Sequence, residues 1–400
     1  MMQRFQVCCM IVSDMDGRVK HLAVLGSTGS IGRQTLEVVR AFPERFQVVA
    51  LAAGSNRELL AQQAREFHPR FVWAGDLEGW ALTGSEPLAP EAMAAHPEVD
   101  LVVVATSGKA GLAPTLEALR AGKRVALANK EVLVMAGELV TAEARQHRAT
   151  ILPIDSEHSA IWQCLEGEGR DAIRIILTAS GGPFRDTPLE ELARVTAADA
   201  LRHPTWQMGK KVTIDSSTLM NKGMEAIEAR WLFGVPLERI SVVIHKESMV
   251  HSLVEFCDGS VKAQLSCPDM RLPIQYALSY PERWPNPAQP CLELSRVGSL
   301  TFHEVDWPRF PCLKLALEAG RRGGTYPAVL CAADEVAVGL FLSRGIGFLD
   351  IPRLVGEALE QHRSVSKPSL EEIMAADAWA REKVVARLVG RPSQVRGKPC

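Results

Sequence analysis

The sequence carries almost no excess charge of either sign: 45 Lys and Arg stand against 47 Asp and Glu, a formal net charge of −2 over 400 residues. A nucleic-acid binder usually shows a basic surplus, so no nucleic-acid partner is expected. No apolar run reaches the roughly 18 residues of a membrane helix, so no membrane span is expected either. Gln6–Val12 is apolar but short, contains Cys8 and Cys9, and is followed by Asp14 and Asp16, too little for a signal peptide. The nine cysteines show no CxxC spacing and, apart from the Cys8–Cys9 pair, stand singly. That excludes a disulfide scaffold and points to reduced thiols in a cytoplasmic protein. Internal repeats and low-complexity tracts are also missing. What is present, 47% hydrophobic and 23% charged residues, is ordinary for a soluble globular chain of two or three domains.

Residues 1–19 read as a disordered extension or as an upstream start, with Met15 as the true start in the second case. From His21 onward, apolar runs rich in Val, Leu and Ala alternate with helical stretches. Strands are expected at His21–Gly26, Gln47–Ala53, Arg70–Trp73, Asp100–Thr106, Arg124–Ala128 and Thr150–Ile154. Helices are expected at Ser30–Phe42, Glu58–Phe67, Leu112–Ala121 and Glu131–His147. This alternation predicts a parallel, Rossmann-like α/β domain over 20–155. A second, α+β domain is expected over 156–285. It would have a strand at Arg174–Ala179, one long helix from Asp215 to Phe233, and antiparallel strands within Val242–Ser266 around an Asp258-Gly259 turn. Residues 286–311 read as a linker and 312–400 as a small helical C-terminal domain.

Gly26-Ser27-Thr28-Gly29-Ser30-Ile31-Gly32 follows a strand and opens a helix, where glycines allow close backbone approach and helix N–H groups can hold a pyrophosphate. The spacing is GxxGxxG rather than GxGxxG, a departure more typical of enzymes that accept NADP. The second strand ends in Gly54-Ser55-Asn56-Arg57, with no acid for a ribose hydroxyl and one cation for a 2′-phosphate, which favours NADP over NAD. Arg57 is equally an ordinary solvated residue of a first helical turn.

Asp155-Ser156-Glu157 lies at the end of a parallel strand, where ligands of such sheets bind. In extended geometry, residues two apart point the same way, so both carboxylates could meet one ion, and oxygen ligands suit Mg²⁺ or Mn²⁺. The same triplet suits a helix N-cap. Further on, Ser216, Ser217, Asn221, Lys222 and Glu225 fall within three helical turns. Asn221 and Lys222 share a face with Glu225. These donors suit a phosphate and the carboxylate suits a metal, although spacing alone leaves Glu228 equivalent to Glu225, and a solvated Lys–Glu pair reads the same way. The stretch His203–Lys211 has Trp206 and Met208 between Pro204 and Gly209, which fits either a lid over a ligand or a loop that buries Trp206 in the core. The isolated His203, His245 and His251 show no metal-ligand spacing.

Together, Gly26–Gly32, Leu127-Ala128-Asn129-Lys130-Glu131, Pro153–His158, Ser180-Gly181-Gly182-Pro183-Phe184-Arg185, Met220-Asn221-Lys222-Gly223 and Cys267-Pro268-Asp269-Met270-Arg271 resemble the 1-deoxy-D-xylulose 5-phosphate reductoisomerase family, in the same order from His21 to the C-terminus. The resemblance implies a homodimeric enzyme of non-mevalonate isoprenoid biosynthesis, dependent on NADPH and a divalent metal, that acts on a sugar phosphate. It implies Asp155, Glu157 and Glu225 as metal ligands, and so selects Glu225 over Glu228. Ser180, Ser216, Asn221 and Lys222 would bind the phosphate end, with Ser156, Lys130 and His203 around the sugar. Thr28, Gly29, Ser30, Ile31, Asn129, Glu131 and Gly209 would contact NADPH, and Trp206 and Met208 would belong to the lid. Lys130 is the implied group for positioning or proton transfer. The chain departs from the family pattern at Ser55, where some members have Lys, and at Lys246, where Pro is common. Two rivals are an NADP-dependent reductase without isomerisation, which would need no metal, and a non-catalytic NADPH-binding regulator. The latter would be expected to lose some of Lys130, Asp155, Glu157, Glu225 or Lys222, and all are present.

Overall fold

The fold is taken from a computed structural model that describes residues 18–75, 84–168, 172–202, 206 and 208–389. The chain begins with β1 (Lys20–Leu25), α1 (Ser30–Ala41), β2 (Phe46–Ala53), α2 (Arg57–Phe67), β3 (Phe71–Ala74), β4 (Glu86–Pro87) and α3 (Pro90–Ala95). It continues through β5 (Leu101–Val104), α4 (Leu112–Arg120), β6 (Arg124–Leu127), α5 (Lys130–Gln146), β7 (Thr150–Pro153) and α6 (Ser156–Leu165). The seven strands form one parallel sheet in the order β4-β3-β2-β1-β5-β6-β7. Its centre is apolar on both faces: Leu22, Ala23, Val24 and Leu25 are each 0% exposed, because helices cover the sheet on both sides. Strand order reverses between β1 and β5, and the carboxyl edge there is where a ligand crevice opens. β4 and α3 were not among the expected elements.

The second part contains β8 (Ala172–Ala179), α7 (Ala197–Ala200), α8 (Lys210–Thr218), α9 (Met220–Phe233), β9 (Ile240–Ile244), β10 (Val250–Phe256), β11 (Val261–Leu265) and α10 (Arg271–Ser279). Its sheet runs β11-β10-β8-β9. Two expectations are corrected here. β10 is antiparallel to β8 and β11, but β9 lies parallel to β8, since the chain returns to it through a helical crossover rather than a hairpin. The single helix expected over Asp215–Phe233 is two helices, broken at Leu219 with φ 56°. The break follows from the polar run before it. Ser217 Oγ donates to the Ile214 carbonyl at 2.6 Å, and Thr218 Oγ1 to the same carbonyl at 3.3 Å, so side chains compete with the backbone for helical acceptors.

The C-terminal part is helical: α11 (Leu294–Val297), α12 (Pro311–Arg322), α13 (Tyr326–Leu342), α14 (Asp350–Gln361) and α15 (Leu370–Val389). Before α12, the segment 286–311 holds the short α11 and a bridge from His303 to Ile244. α13 is apolar almost all round and sits inside the others, packed on α5 and α8 as well as on α12, α14 and α15. Among the described residues, no helix is long and apolar enough to cross a membrane. The six described cysteines are all free thiols.

α9 is pressed against its neighbours through a small residue. A Cβ at Gly223 would lie 2.3 Å from the Ala316 Cβ of α12, far inside van der Waals contact. Gly223→Ala is therefore expected to cost about 1–3 kcal/mol by overpacking and to lower Tm by a few degrees in scanning calorimetry. An unchanged Tm would show that α9 and α12 are free to separate.

Candidate active site

The glycine loop is shaped by backbone approach. Gly26 leaves β1 with φ +88°, and a Cβ on it would lie 2.4 Å from the Ala105 carbonyl oxygen. A Cβ on Gly32 would lie 2.2 Å from the Gly26 oxygen, so the loop packs on the first turn of α1. Gln63 of α2 holds the loop from behind, accepting from Ser27 Oγ at 2.8 Å and donating to the Ser27 carbonyl at 2.9 Å. Gly29 caps α1 without a side chain, which leaves the helix N–H groups facing the cavity for an anion.

The loop opens into a cavity of about 860 Å³ that also reaches the acidic cluster. Thr28, Gly29, Ser30, Ile31, Gly54, Ser55, Asn56, Asn129, Glu131 and Gly209 all line it. Arg57 opens α2 beside this wall but is not among the lining residues. Asn129 lines the cavity with its amide already committed. It donates to the Thr106 and Gly108 carbonyls at 3.0 and 2.9 Å and caps α5 by accepting from Val132 N at 3.2 Å. Trp73, at the carboxyl end of β3, also lines the wall. Sequence reasoning read it only as a strand residue, although an aromatic at the ligand edge of such a sheet was a usable signal.

The acids converge by a route other than the expected one. Asp155 is not in extended alternation with Glu157. It is the N-cap of α6, and Glu157 lies in the first helical turn. The N-cap reading holds for position, but the Asp155 side chain makes no capping hydrogen bond and turns instead to Lys130 Nζ, 2.9 Å away. Lys130, the first residue of α5, also donates to Asn221 Oδ1 at 2.5 Å and to Glu225 Oε1 at 3.2 Å. Lys222 donates to Glu157 Oε1 at 2.8 Å and to Glu225 Oε2 at 2.5 Å. Asn221 Nδ2 donates to Glu225 Oε1 at 2.5 Å, the four-residue spacing read from the sequence. Ser156 Oγ donates to Glu157 Oε2 at 2.7 Å. One oxygen each from Asp155, Glu157 and Glu225 lies within 4.8 Å of the others.

Burial raises every carboxyl here, and the neighbours decide the outcome. Asp155 is drawn well below the usual carboxylate range against its burial by Lys130, His158 and Lys222. Lys222 likewise lowers Glu157 against its burial. Glu225 is pushed up to about 7 by burial and the Glu157 charge. Both ammonium groups are held charged, Lys130 by Asp155, Glu225 and Glu228, and Lys222 by Glu157 and Glu225. Three hard carboxylate donors around the Asp155 Oδ2, which is buried without an aligned hydrogen-bond donor, suit Mg²⁺ or Mn²⁺.

A second group was missed from the sequence: Asp155, His158 and Glu228 also offer atoms within 4.8 Å of one another. His158 Nε2 is 2.9 Å from the Glu225 carbonyl, and its Nδ1 is 3.5 Å from Glu228 Oε2. Glu228 is pushed up to about 7, mainly by burial. The i,i+3 spacing from Glu225 was visible, but the partner on α6 is a tertiary fact.

Ser180, Ser216, Trp206 and Met208 line the same cavity. Trp206 is half-buried at the wall, its ring 6.1 Å from that of His251, rather than fully enclosed in a core. His251, which shows no metal-ligand spacing in the sequence, also lines the cavity. His203 lies outside the described residues.

Three family models cover most of the chain: 1-deoxy-D-xylulose 5-phosphate reductoisomerase at residues 22–137, its C-terminal domain at 151–233, and the DXP reductoisomerase C-terminal domain at 265–383. The reductoisomerase of Pelotomaculum thermopropionicum is 56% identical over 381 residues, which span 91% of this chain and 97% of that protein. That of Heliobacterium modesticaldum is 55% identical, covering 92% of this chain and 98% of its own length. Among solved structures, the Zymomonas mobilis enzyme in complex with NADPH matches with a TM-score of 0.86 at 42% identity, covering 94% of this chain and 100% of that one. A DOX-P reductoisomerase in complex with NADPH, fosmidomycin and magnesium matches with a TM-score of 0.86 at 40% identity, covering 93% of this chain and 98% of that one.

The raised Glu225 carboxyl has a consequence for metal binding, because a ligand carboxyl must lose its proton first. Below pH about 7 that proton competes with the ion, so affinity should fall by up to about tenfold per pH unit. Mn²⁺ titration of the protein alone, followed by electron paramagnetic resonance, should show tighter binding at pH 8 than at pH 6. Equal affinities at the two pH values would contradict the burial assigned to Glu225.

Proposed function

The chain belongs to the 1-deoxy-D-xylulose 5-phosphate reductoisomerase family, and from that premise we propose that it rearranges 1-deoxy-D-xylulose 5-phosphate and reduces the product with NADPH to 2-C-methyl-D-erythritol 4-phosphate. This is a step of non-mevalonate isoprenoid precursor synthesis. The observation that carries the reading is the joining of two devices in one cavity, a glycine loop at a helix N-terminus and a largely buried three-carboxylate, two-ammonium cluster. A reductase without isomerisation would have use for the first device and none for the second.

Asp155, Glu157 and Glu225 are assigned to Mg²⁺ or Mn²⁺, and Thr28, Gly29, Ser30 and Ile31 to the NADPH pyrophosphate. When bound, the metal supplies Lewis-acid stabilisation of developing oxyanion charge and the nicotinamide supplies hydride. The chain's own groups place the substrate. Ser180, Ser216, Asn221 and Lys222 offer hydroxyl, amide and ammonium donors to the phosphate end. Ser156, Lys130 and His203 are assigned to the sugar. Lys130 stays protonated among its acids, so its ammonium serves to orient an oxygen by donating a hydrogen bond to it. Burial of the cluster, with Trp206 and Met208 on the cavity wall, keeps water away from a reactive carbonyl product.

The proposal extends to a homodimer in the cytoplasm. Leu294, Phe302 and Trp307 expose 60%, 44% and 50% of their surface on the segment before α12, apolar area that suits a second copy. Free thiols suit a reducing compartment.

Loss of NADPH absorbance on adding 1-deoxy-D-xylulose 5-phosphate tests the function directly. Turnover should stop with EDTA and return with Mg²⁺. Glu225→Gln should lower turnover by at least about a hundredfold while NADPH affinity stays within about twofold. Oxidation indifferent to EDTA would leave a plain reductase. Absence of oxidation in a folded, NADPH-binding sample would favour the regulator instead.

A further inference from the structure

Apart from the three-carboxylate cluster, a second buried charge group is built on Lys211, in the first turn of α8. Its ammonium lies 2.6 Å from Asp215 Oδ2 one turn along the same helix and 2.9 Å from Asp334 Oδ2 in α13. It is also 3.6 Å from Glu131 Oε1 in the first turn of α5. The Asp215 and Asp334 side chains are 2% and 0% exposed. Among the described residues, Asp215 Oδ1 and both Asp334 oxygens have no aligned hydrogen-bond donor. Three carboxyl groups therefore share one cation, and burial beside Asp334 pushes the Asp215 carboxyl well above the usual carboxylate range.

Such a group is an expensive way to hold helices together, since apolar side chains of the same volume commonly stabilise as well or better. Its placement suggests what it does. α8 and α5 supply walls of the active-site cavity, with Lys211 and Ser216 from α8 and Lys130 and Glu131 from α5. Among the described residues, α13 lines none of that cavity, yet through Asp334 it is tied to the ammonium that joins the two walls.

We infer that Lys211 is a positioning residue for the proposed reaction: its bridge to Asp215, Glu131 and Asp334 fixes α8, which carries Ser216, against α5, which carries Lys130, and anchors both to the C-terminal helices. The inference rests on the functional reading above. A slip of α8 relative to α5 moves Ser216, one of the proposed phosphate donors, away from Lys130 and weakens sugar-phosphate binding before it touches the chemistry.

The test compares wild type with Lys211→Met/Asp334→Asn, which removes the cation and one buried anion together. Steady-state kinetics with 1-deoxy-D-xylulose 5-phosphate should show KM raised about tenfold with kcat within about threefold. The Kd for NADPH, read by fluorescence, should rise by less than the KM, since of the implied NADPH contacts only Gly209 caps α8 and the glycine loop belongs to α1. A folded variant with unchanged KM overturns the inference, and so does an equal loss of NADPH and sugar-phosphate affinity. If the pair does not fold, Asp334→Asn alone should raise the same KM about threefold by loosening the α13 arm, and an unchanged KM there overturns it. A wild-type protein that does not turn over the sugar phosphate refutes the functional reading, and this inference with it.

Discussion

Three carboxylates cannot be brought within 4.8 Å of one another and largely out of water unless cations come with them. Lys130 and Lys222 meet that requirement, and much of the molecule can be read as the means of bringing them to Asp155, Glu157 and Glu225. Lys130 starts α5 immediately after β6, Asp155 and Glu157 start α6 immediately after β7, and the adjacent parallel strands put both starts at one sheet edge. The third acid comes from a separate element, α9, together with Asn221 and Lys222. The cluster is thus the joint between the parallel sheet and the second domain. A joint of paired opposite charges contributes little net stability but strongly opposes loss of either partner.

The break at Leu219 belongs to the same constraint. A continuous helix from Lys210 would keep Ser216 and Glu225 on one straight rod. A bulky residue at φ 56° costs energy that a straight helix would not. The cost re-aims α9, so that Ser216 from α8 and Asn221, Lys222 and Glu225 from α9 all line one cavity. Close packing of Gly223 on Ala316 then holds α9 in that direction. Apolar packing carries the stability, while the polar run Asp215–Thr218 and the charges set the geometry.

Much of the first domain was legible because its signals are local. Runs such as Leu101–Val104, alternating with helical stretches, read as strands buried on both faces, and Gly26–Gly32 between a strand and a helix fits the first turn of such a sheet. Asn221 and Glu225 were also legible, since a four-residue spacing on a helix fixes their proximity. What was not legible depends on other parts of the chain. The convergence of Asp155 and Glu157 was expected from strand geometry and arises from a helix start. The parallel pairing of β9 with β8 depends on a crossover rather than on the strand's own residues. His158 meets Glu228, and Lys211 meets Asp334, across 70 and 123 positions, and no periodicity reports contacts at that range.

Asp155 belongs to both groups of candidate ligands, one completed by Glu157 and Glu225 and the other by His158 and Glu228. On the proposed function, the paired ammonium groups preorganise the first group to receive the ion, and the second supports it from behind. Crystals soaked in Mn²⁺, with diffraction recorded at a wavelength where manganese scatters anomalously, separate the two. A single anomalous peak bounded by Asp155, Glu157 and Glu225 is the predicted result. A peak bounded by Asp155, His158 and Glu228, with Glu157 left on Lys222, would contradict it.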